Sequence, residues 1–453
     1  MSAHDRLMAA LEAVVGAEWL LTDTATADYA VDGVTPSLVV FPKDEAQVAA
    51  VLRLADEHQA TVMPRGGGSH IGLGNVPTHL DVVLSVQRLQ QQLAYEPGDM
   101  TTTVQAGLRL ADLQASLNQH GQFLALDPSA AETTTVGGIV ATNLSGPRRL
   151  LYGSARDLLL GSAVISLDGK RTKAGGRVVK NVTGYDLNKL YIGSLGTLAV
   201  IVELTWKVHP KPPGEQTLGI GVTQRADLAG IRHRLLQLPL RLSSLVLLNR
   251  AATVELTTQT GVDSPETPYL FLTRFEGTPK VLEHQALSIN TALRALALAG
   301  AASTHTWHDD EPVRLWQGLE AFPLTLAQTA PDSIVGKVSL PMAATPEFVE
   351  AMETAATTSG TPWPLLVHAG HGVAYVRLTS GGATADLMPH LHTLETCVAQ
   401  VQGRRVLEYA PLAIKRQTDV WGASGDDFAL MRGIKTTFDP HRRLNPGRFL
   451  GGL

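Results

Sequence analysis

A single cysteine, Cys397, stands among the 453 residues. That excludes an intramolecular disulfide and an iron–sulfur cluster held by this chain alone, because such clusters take several thiolates. Any redox chemistry therefore needs a borrowed cofactor. Positive charge is also in short supply: 37 Lys and Arg against 42 Asp and Glu leave a formal net charge of −5. With no basic stripe to neutralise phosphates, nucleic acid is not an expected partner. No run of about 18 apolar residues occurs, and the first residues lack a charged start followed by an apolar core, so the sequence reads as cytoplasmic and without a membrane span. Low-complexity tracts are missing too, and 44% hydrophobic with 17% charged residues describes a folded globular chain. One core does not suffice at this length, since single cores rarely grow beyond about 250 to 300 residues.

What is present begins with a helical pattern. Val48, Val51, Leu52 and Ala55 recur at helical spacing between Asp44 and Ala60, and the chain then runs through Thr61–Met63 into a glycine cluster. A strand is expected around Val82–Val86 and another at Thr101–Ala106, followed by a helix carrying Leu110, Leu113 and Leu117. Asp168-Gly169 between two short strand patterns reads as a hairpin with a tight primed turn. Thr197–Trp206 is apolar enough for a buried strand, and Lys207–Glu215, with Pro210, Pro212 and Pro213, reads as a linker. Beyond it, strand patterns at Ser244–Leu248, Tyr269–Arg274 and Ala374–Leu378 alternate with helices such as His284–Ala299, which suggests a second α+β layer.

The segment with the most chemical content is Pro64-Arg65-Gly66-Gly67-Gly68-Ser69-His70. Consecutive glycines let successive amides turn toward one concavity, and Arg65 and the Ser69 hydroxyl add charge and a donor, so the segment suits a pyrophosphate. It fits neither G-x-G-x-x-G nor G-x-x-x-x-G-K-[ST]. Taken alone it reads equally as a glycine turn between strands. Two further segments tip the balance. One runs from Asp127-Pro128 through Thr133–Asn143 to Gly146 and then Tyr152–Asp157, with small residues that allow a flat ring to lie against backbone. The other runs from Lys180–Leu187 into Gly193–Ile201.

These three segments in this order resemble the PCMH-type FAD domain shared by vanillyl-alcohol oxidase, D-lactate dehydrogenase and glycolate oxidase flavoproteins. The resemblance covers roughly residues 35–210 and resumes at Phe438-Asp439-Pro440 and Leu444-Asn445-Pro446-Gly447-Arg448, a signature of the members with a ferredoxin-like cap. It implies an α+β chain with a two-subdomain FAD-binding domain at 1–215, an α+β cap at 216–402 and a C-terminal segment at 403–453 that returns to the flavin. It also implies that Pro64, Arg65, Gly66, Gly67, Gly68, Ser69 and His70 hold the pyrophosphate. Pro128, Thr135, Val136, Gly137, Gly138, Ala141, Thr142, Asn143, Gly146, Tyr152, Gly153 and Asp157 would then flank flavin and ribityl. Gly196, Val200 and Ile201 would close the adenine side, and Asn445 would reach the isoalloxazine. Ser145–Arg149, Arg156-Asp157 and Ser194-Leu195-Gly196 are most similar to the FAD-binding E subunits of bacterial glycolate oxidases. Relatives that tether their flavin through this loop carry a histidine at the position of Ser69, so FAD is expected to be held without a covalent bond.

The departures from that family carry information as well. Catalytic members have a segment of the form His-x-Gly-Asp-Gly-Asn-x-His and a later Glu-His-Gly. Here these read His368-Ala369-Gly370-His371-Gly372-Val373-Ala374-Tyr375 and Glu408-Tyr409-Ala410. The resemblance would place two His and a Glu on a metal, and only His368 and Glu408 remain at those positions; His371 is a candidate substitute ligand, but no metal is expected. A tyrosine, with an ordinary pKa near 10, is a poor general base at neutral pH. Val179 stands where relatives have a carboxylate-binding arginine. Lys180 and Thr183 remain beside it, Lys180 reading equally as a solvated loop lysine or as positive charge near the flavin edge.

The expected site is therefore built from Lys180, Thr183, His368, His371, Tyr375, Glu408 and Tyr409 around a flavin, with a small 2-hydroxy acid as substrate. The resemblance implies a subunit of a glycolate-oxidising complex that works with a homologous FAD subunit and an iron–sulfur subunit and reaches a membrane only through them. Two rivals stay open: a self-sufficient FAD-dependent dehydrogenase with an altered site, and a flavin-free structural subunit.

Overall fold

The computed structural model describes residues 2–177, 185–380 and 387–453. Val179, Lys180 and Thr183 lie outside the described residues. The chain opens with helices Ala3–Val15 and Glu45–Glu57, which pack on a four-stranded sheet. Asp44 starts the second helix by accepting the Gln47 amide at 2.9 Å, and Val48, Val51, Leu52 and Ala55 form its buried stripe. The strand order is Leu20–Leu21, Leu38–Val40, Val82–Ser85, Val62–Arg65, and the last three are parallel. The glycine loop therefore leaves the carboxyl end of a parallel edge strand, where loops are placed to bind ligands.

A second, antiparallel sheet of five strands takes the order Gln92–Glu96, Thr101–Gln105, Val200–Lys207, Leu159–Ile165, Arg171–Gly175. The hairpin at Asp168-Gly169 forms, but with a wider turn than the sequence suggested. The Ser166 amide donates to the Lys170 carbonyl at 3.1 Å and only Gly169 has a positive φ, +75°. Asp168 instead turns its carboxylate onto the Ser166 hydroxyl and the Lys170 amide, which favours a three-residue loop with glycine in the left-handed position. The proline-rich stretch after Lys207 is not a free linker. His209–Pro210 pairs with Gln122–Phe123, and the Lys211 amide donates to the Gly121 carbonyl.

The cap is one antiparallel sheet of eight strands in the order Ala302–Thr306, Glu215–Val222, Tyr269–Glu276, Leu242–Asn249, Leu365–His368, Val373–Leu378, Ile334–Ser339, Arg404–Tyr409. The expected border at 402 thus falls one strand early, because Arg404–Tyr409 must pair with Ile334–Ser339 before the chain leaves. One face buries helices Leu228–Gln237, Pro279–Arg294, Thr345–Ser359 and Leu387–Gln400. The other buries Arg250–Thr260 and Glu311–Thr329.

Buried charge joins the cap to the first body. Arg274, 2% exposed, donates to the Asp127 carboxylate at 3.1 Å, and Arg148 donates to Glu276 at 2.5 Å and Glu215 at 3.0 Å. The end of the chain then returns. Leu444 bridges to Val62, Lys415 donates to Asp32 at 2.8 Å, and Arg448 donates to the same carboxylate at 3.0 Å. Among the described residues no helix is long and apolar enough to cross a membrane.

Candidate active site

Four separated stretches of chain build one groove: residues 64–71, 134–144, 195–201 and 445–448. Its floor is the glycine loop. Among the described residues, the amides of 66–70 have no backbone acceptor, so a row of donors is left to face a ligand. The glycines are required by close approach. A Cβ on Gly67 would fall on the Thr133 carbonyl, one on Gly66 would fall on the Thr135 hydroxyl, and Gly68 has φ +78°. Arg65 stacks on the Tyr29 ring at 4.5 Å, and its buried Nε and Nη1 have no partner. At the far end Asn445, itself in left-handed backbone, donates to the Leu195 carbonyl at 2.6 Å and leaves a buried Oδ1 unpartnered. Free amides, an uncommitted guanidinium and an orphaned amide oxygen are the complement of a dinucleotide with anionic and hydrogen-bonding parts, and these residues fit FAD.

Of the residues expected at the cofactor, Pro64, Arg65, Gly66, Gly67, Gly68, Ser69, His70, Thr135, Gly137, Gly138, Ala141, Thr142, Gly196, Val200, Ile201 and Asn445 line the groove. Other expected contacts lie elsewhere. Val136 turns into the core behind the groove, and Asn143 ends the helix Val136–Thr142 with φ +55°. Gly146 lines the neighbouring cavity and packs so tightly on Asp127 that a Cβ would meet its carbonyl, while Pro128 does not line the groove. The Tyr152 hydroxyl is taken by the cap carboxylate of Glu276, and Gly153 turns the chain with φ +81°. Asp157 accepts the Ser154 amide at 2.8 Å in a capping box. These residues shape the backbone around the groove rather than its surface.

A cavity of about 390 Å³ opens between the first body and the cap, and it shares Ser69, His70, Leu73 and Leu144 with the groove. His368, Tyr375, Glu408 and Tyr409 all reach it; His371 does not. Instead His371 stacks behind His368, ring centroids 4.9 Å apart and planes at 17°. Burial, with each other's charge and that of Arg149 and Lys337, holds the His368 pKa well below its ordinary value. Burial and Arg149 push His371 down to about 4. Both are neutral imidazoles at neutral pH. Burial raises the pKa of Tyr375 and Tyr409, so neither phenol supplies the base that the relatives' histidines imply.

Two residues were missed in the sequence: His70 lines this cavity, and Lys337 lies outside its lining, joined to it through Glu408. His70 was read there only as part of the loop, yet it stands where groove and cavity meet, hydrogen-bonded by Nδ1 to Ser69 at 3.0 Å and by Nε2 to Ser129 at 2.9 Å. Burial lowers its pKa, partly offset by Glu408. Lys337 is the second. It lies opposite Tyr375 in the strand register, and its ammonium is 3.1 Å from Glu408. Burial alone would lower its pKa; the Tyr375 phenol and Glu408 carboxylate reverse that and hold it above the ordinary value, so it is a cation. Glu408 reaches it because the strand bulges: Val335 faces Tyr409 and Gly336 faces Leu407, leaving Glu408 as the extra residue. A lone lysine in the apolar strand Ile334–Ser339 was the available signal.

A divalent metal does not fit these residues. Tyr375 replaces one imidazole, Glu408 is already paired with Lys337, and the described residues contain no group of three His, Cys, Asp or Glu able to hold an ion.

Residues 36–175 match the family described as FAD binding domain, and residues 211–449 match FAD linked oxidases, C-terminal domain. The chain belongs to the FAD-linked oxidases and is an FAD-dependent oxidoreductase. It is 27% identical over 425 residues to D-2-hydroxyglutarate dehydrogenase of Xanthomonas citri pv. viticola, covering 91% of this chain and 89% of that protein. To glycolate oxidase subunit GlcD of Escherichia coli (strain K12) it is 28% identical over 463 residues, covering 98% and 90%. Among solved structures, p-cresol methylhydroxylase with substrate bound has the same fold, with a TM-score of 0.77 at 14% identity over 98% of this chain and 96% of that one.

Proposed function

We propose that this protein oxidises a small 2-hydroxy acid to the 2-oxo acid as the FAD-binding subunit of a glycolate-oxidising type of complex. The observation that carries the reading is the junction at Ser69, His70 and Leu144, where the flavin groove opens into a polar cavity. FAD, when bound, accepts the two electrons and the hydrogen lost from the carbinol carbon. The chain's own groups do the rest. Lys337 lies outside the cavity lining and acts on it only through Glu408, whose carboxylate it neutralises at 3.1 Å. The neutral imidazole of His368 lines the cavity as an acceptor for the hydroxyl proton, His70 is held at the junction by Ser69 and Ser129, and burial of the cavity walls restricts water.

The role in a complex is supported by the glycolate oxidase subunits among its relatives and by a single buried cysteine, Cys397, which leaves this chain no iron–sulfur route for onward electrons. The paired Lys337 and Glu408 and the two depressed histidines make a weak acid–base set, consistent with slow turnover by the chain alone. A second reading, a self-sufficient dehydrogenase, is favoured by the intact cavity itself. The test is a dye-coupled assay on purified, flavin-loaded protein with glycolate and both lactate enantiomers, repeated with the homologous flavin subunit and the iron–sulfur subunit. Activity that appears only with partners supports the complex; full turnover by the isolated chain supports the second reading.

A further inference from the structure

The cavity contains one carboxyl that the reading above leaves unused. Glu320 projects from the middle of the cap helix Glu311–Thr329, whose other contributions to the wall are Leu319, Pro323, Leu324, Ala327 and Gln328. A mostly apolar wall thus carries an acid and an amide.

The neighbours of Glu320 do not satisfy it. Among the described residues its ion-pair partner is Arg274, whose Nη1 is 3.9 Å away, beyond hydrogen-bonding distance. The other nitrogens of that guanidinium are engaged: Nη2 donates to Asp127 at 3.1 Å and to the Ser244 hydroxyl at 3.0 Å, and the group lies over the Trp316 ring at 4.3 Å. Arg148 is held by Glu276 and Glu215. Two arginines, one buried and one half-buried, therefore serve four carboxyl groups, and Glu320, which has the longest of these contacts, lines the cavity. The same cavity is lined by His70, His368 and Glu408. Burial first, and the Asp127 charge second, push the Glu320 pKa up to about 8, with Arg274 and Arg148 opposing and Glu215 reinforcing.

We propose that Glu320 is a substrate-binding residue that donates a hydrogen bond from its carboxylic acid to a second oxygen-bearing group of the substrate, so that among small 2-hydroxy acids the site binds those with a second carboxylate more tightly. This inference rests on the cavity being the substrate site. Its size agrees: about 390 Å³ is within the range of pockets for whole small molecules, and a two-carbon acid would fill a small part of it. The wall agrees as well, since a few apolar side chains beside a terminal donor match a short methylene stretch that ends in a carboxylate. A carboxylic acid is the suitable donor here because it adds no charge to a cluster already rich in anions, whereas its ionised form would repel the substrate.

The experiment uses flavin-loaded full-length protein and the non-oxidisable probes pyruvate and 2-oxoglutarate, with binding measured by calorimetry, alongside flavin reduction by D-lactate and D-2-hydroxyglutarate. Wild type is expected to bind 2-oxoglutarate more tightly than pyruvate. Glu320→Ala should weaken 2-oxoglutarate by about ten- to a hundredfold, the size of a lost hydrogen bond to a charged group, and leave pyruvate unchanged. Glu320→Gln retains a neutral donor and should keep the preference. Wild-type affinity for 2-oxoglutarate should fall as pH rises through about 8, because the acid is a donor below that value and an anion above it; the Gln variant should show no such fall. Melting temperature and flavin content check that each variant is folded. Equal losses for both probes, no loss for either, or no binding of either by wild type would overturn the inference. Probe binding that depends on Glu320 without flavin reduction by any 2-hydroxy acid would instead sink the proposed reaction and leave the binding role standing.

Discussion

The ammonium of Lys337 lies 3.1 Å from the carboxylate of Glu408, and both side chains are largely removed from water. The cap strand brings the lysine and a bulge brings the glutamate, so the pair depends on the sheet register. Removing one partner leaves the other charge buried and alone. Lys337→Met is expected to destabilise the protein by about 3 to 5 kcal/mol. The double change Lys337→Met with Glu408→Leu should recover much of that, and urea unfolding of the single and double variants checks both.

Gly67 is expected to be indispensable for flavin retention. A Cβ there would fall on the Thr133 carbonyl, so Gly67→Ala must displace the glycine loop from the segment that forms the opposite wall of the groove. The variant should purify colourless or with a small fraction of the wild-type flavin, measured by the ratio of flavin to protein absorbance after gel filtration. An unchanged ratio would show that the loop is not part of the binding surface.

Flavin should leave on acid precipitation and colour the supernatant. Ser69 occupies the position from which relatives tether FAD, and its hydroxyl is engaged by Thr134 at 2.8 Å and by His70. Cys397 is buried in the cap core and cannot serve instead. A yellow pellet would refute non-covalent binding.

The stacked pair His368 and His371 predicts a stability loss in mild acid. Burial holds both neutral in the folded protein, and the His371 pKa is pushed down to about 4. The unfolded chain takes up protons below the ordinary value near 6.5. Stability is therefore intact above about pH 6.5 and lost as pH falls from there toward 4, by roughly 3 kcal/mol for His371. His371→Phe should flatten the dependence of urea midpoint on pH over that interval.

Much of the first body could be read in the residues, because its signals are local. The helical stripe at Val48, Val51, Leu52 and Ala55 and the hairpin at Gly169 depend on neighbours a few positions away. The cofactor groove was legible for a related reason: glycines with no room for a Cβ leave a visible run. The partners of Tyr152 and Asp157 were not legible, because a tyrosine and an aspartate near such glycines look the same whether they face a ligand, a cap residue or their own helix end. Lys337 showed only as a lone lysine in an apolar strand, and Glu320 left no local signal. Their importance comes from register and from the meeting of two bodies: Lys337 faces Tyr375, which is 38 positions later, and Glu320 approaches Asp127 only through a cap helix laid over the first body.

The return of residues 444–448 also orders events in time. Leu444 pairs with Val62, and Asn445 and Arg448 complete the groove that begins at Pro64. During synthesis the glycine loop emerges hundreds of residues before the stretch that closes it, and the whole cap sheet is made in the interval. Tight capture of flavin therefore waits until residues 444–448 have left the ribosome and paired with the strand that carries the glycine loop.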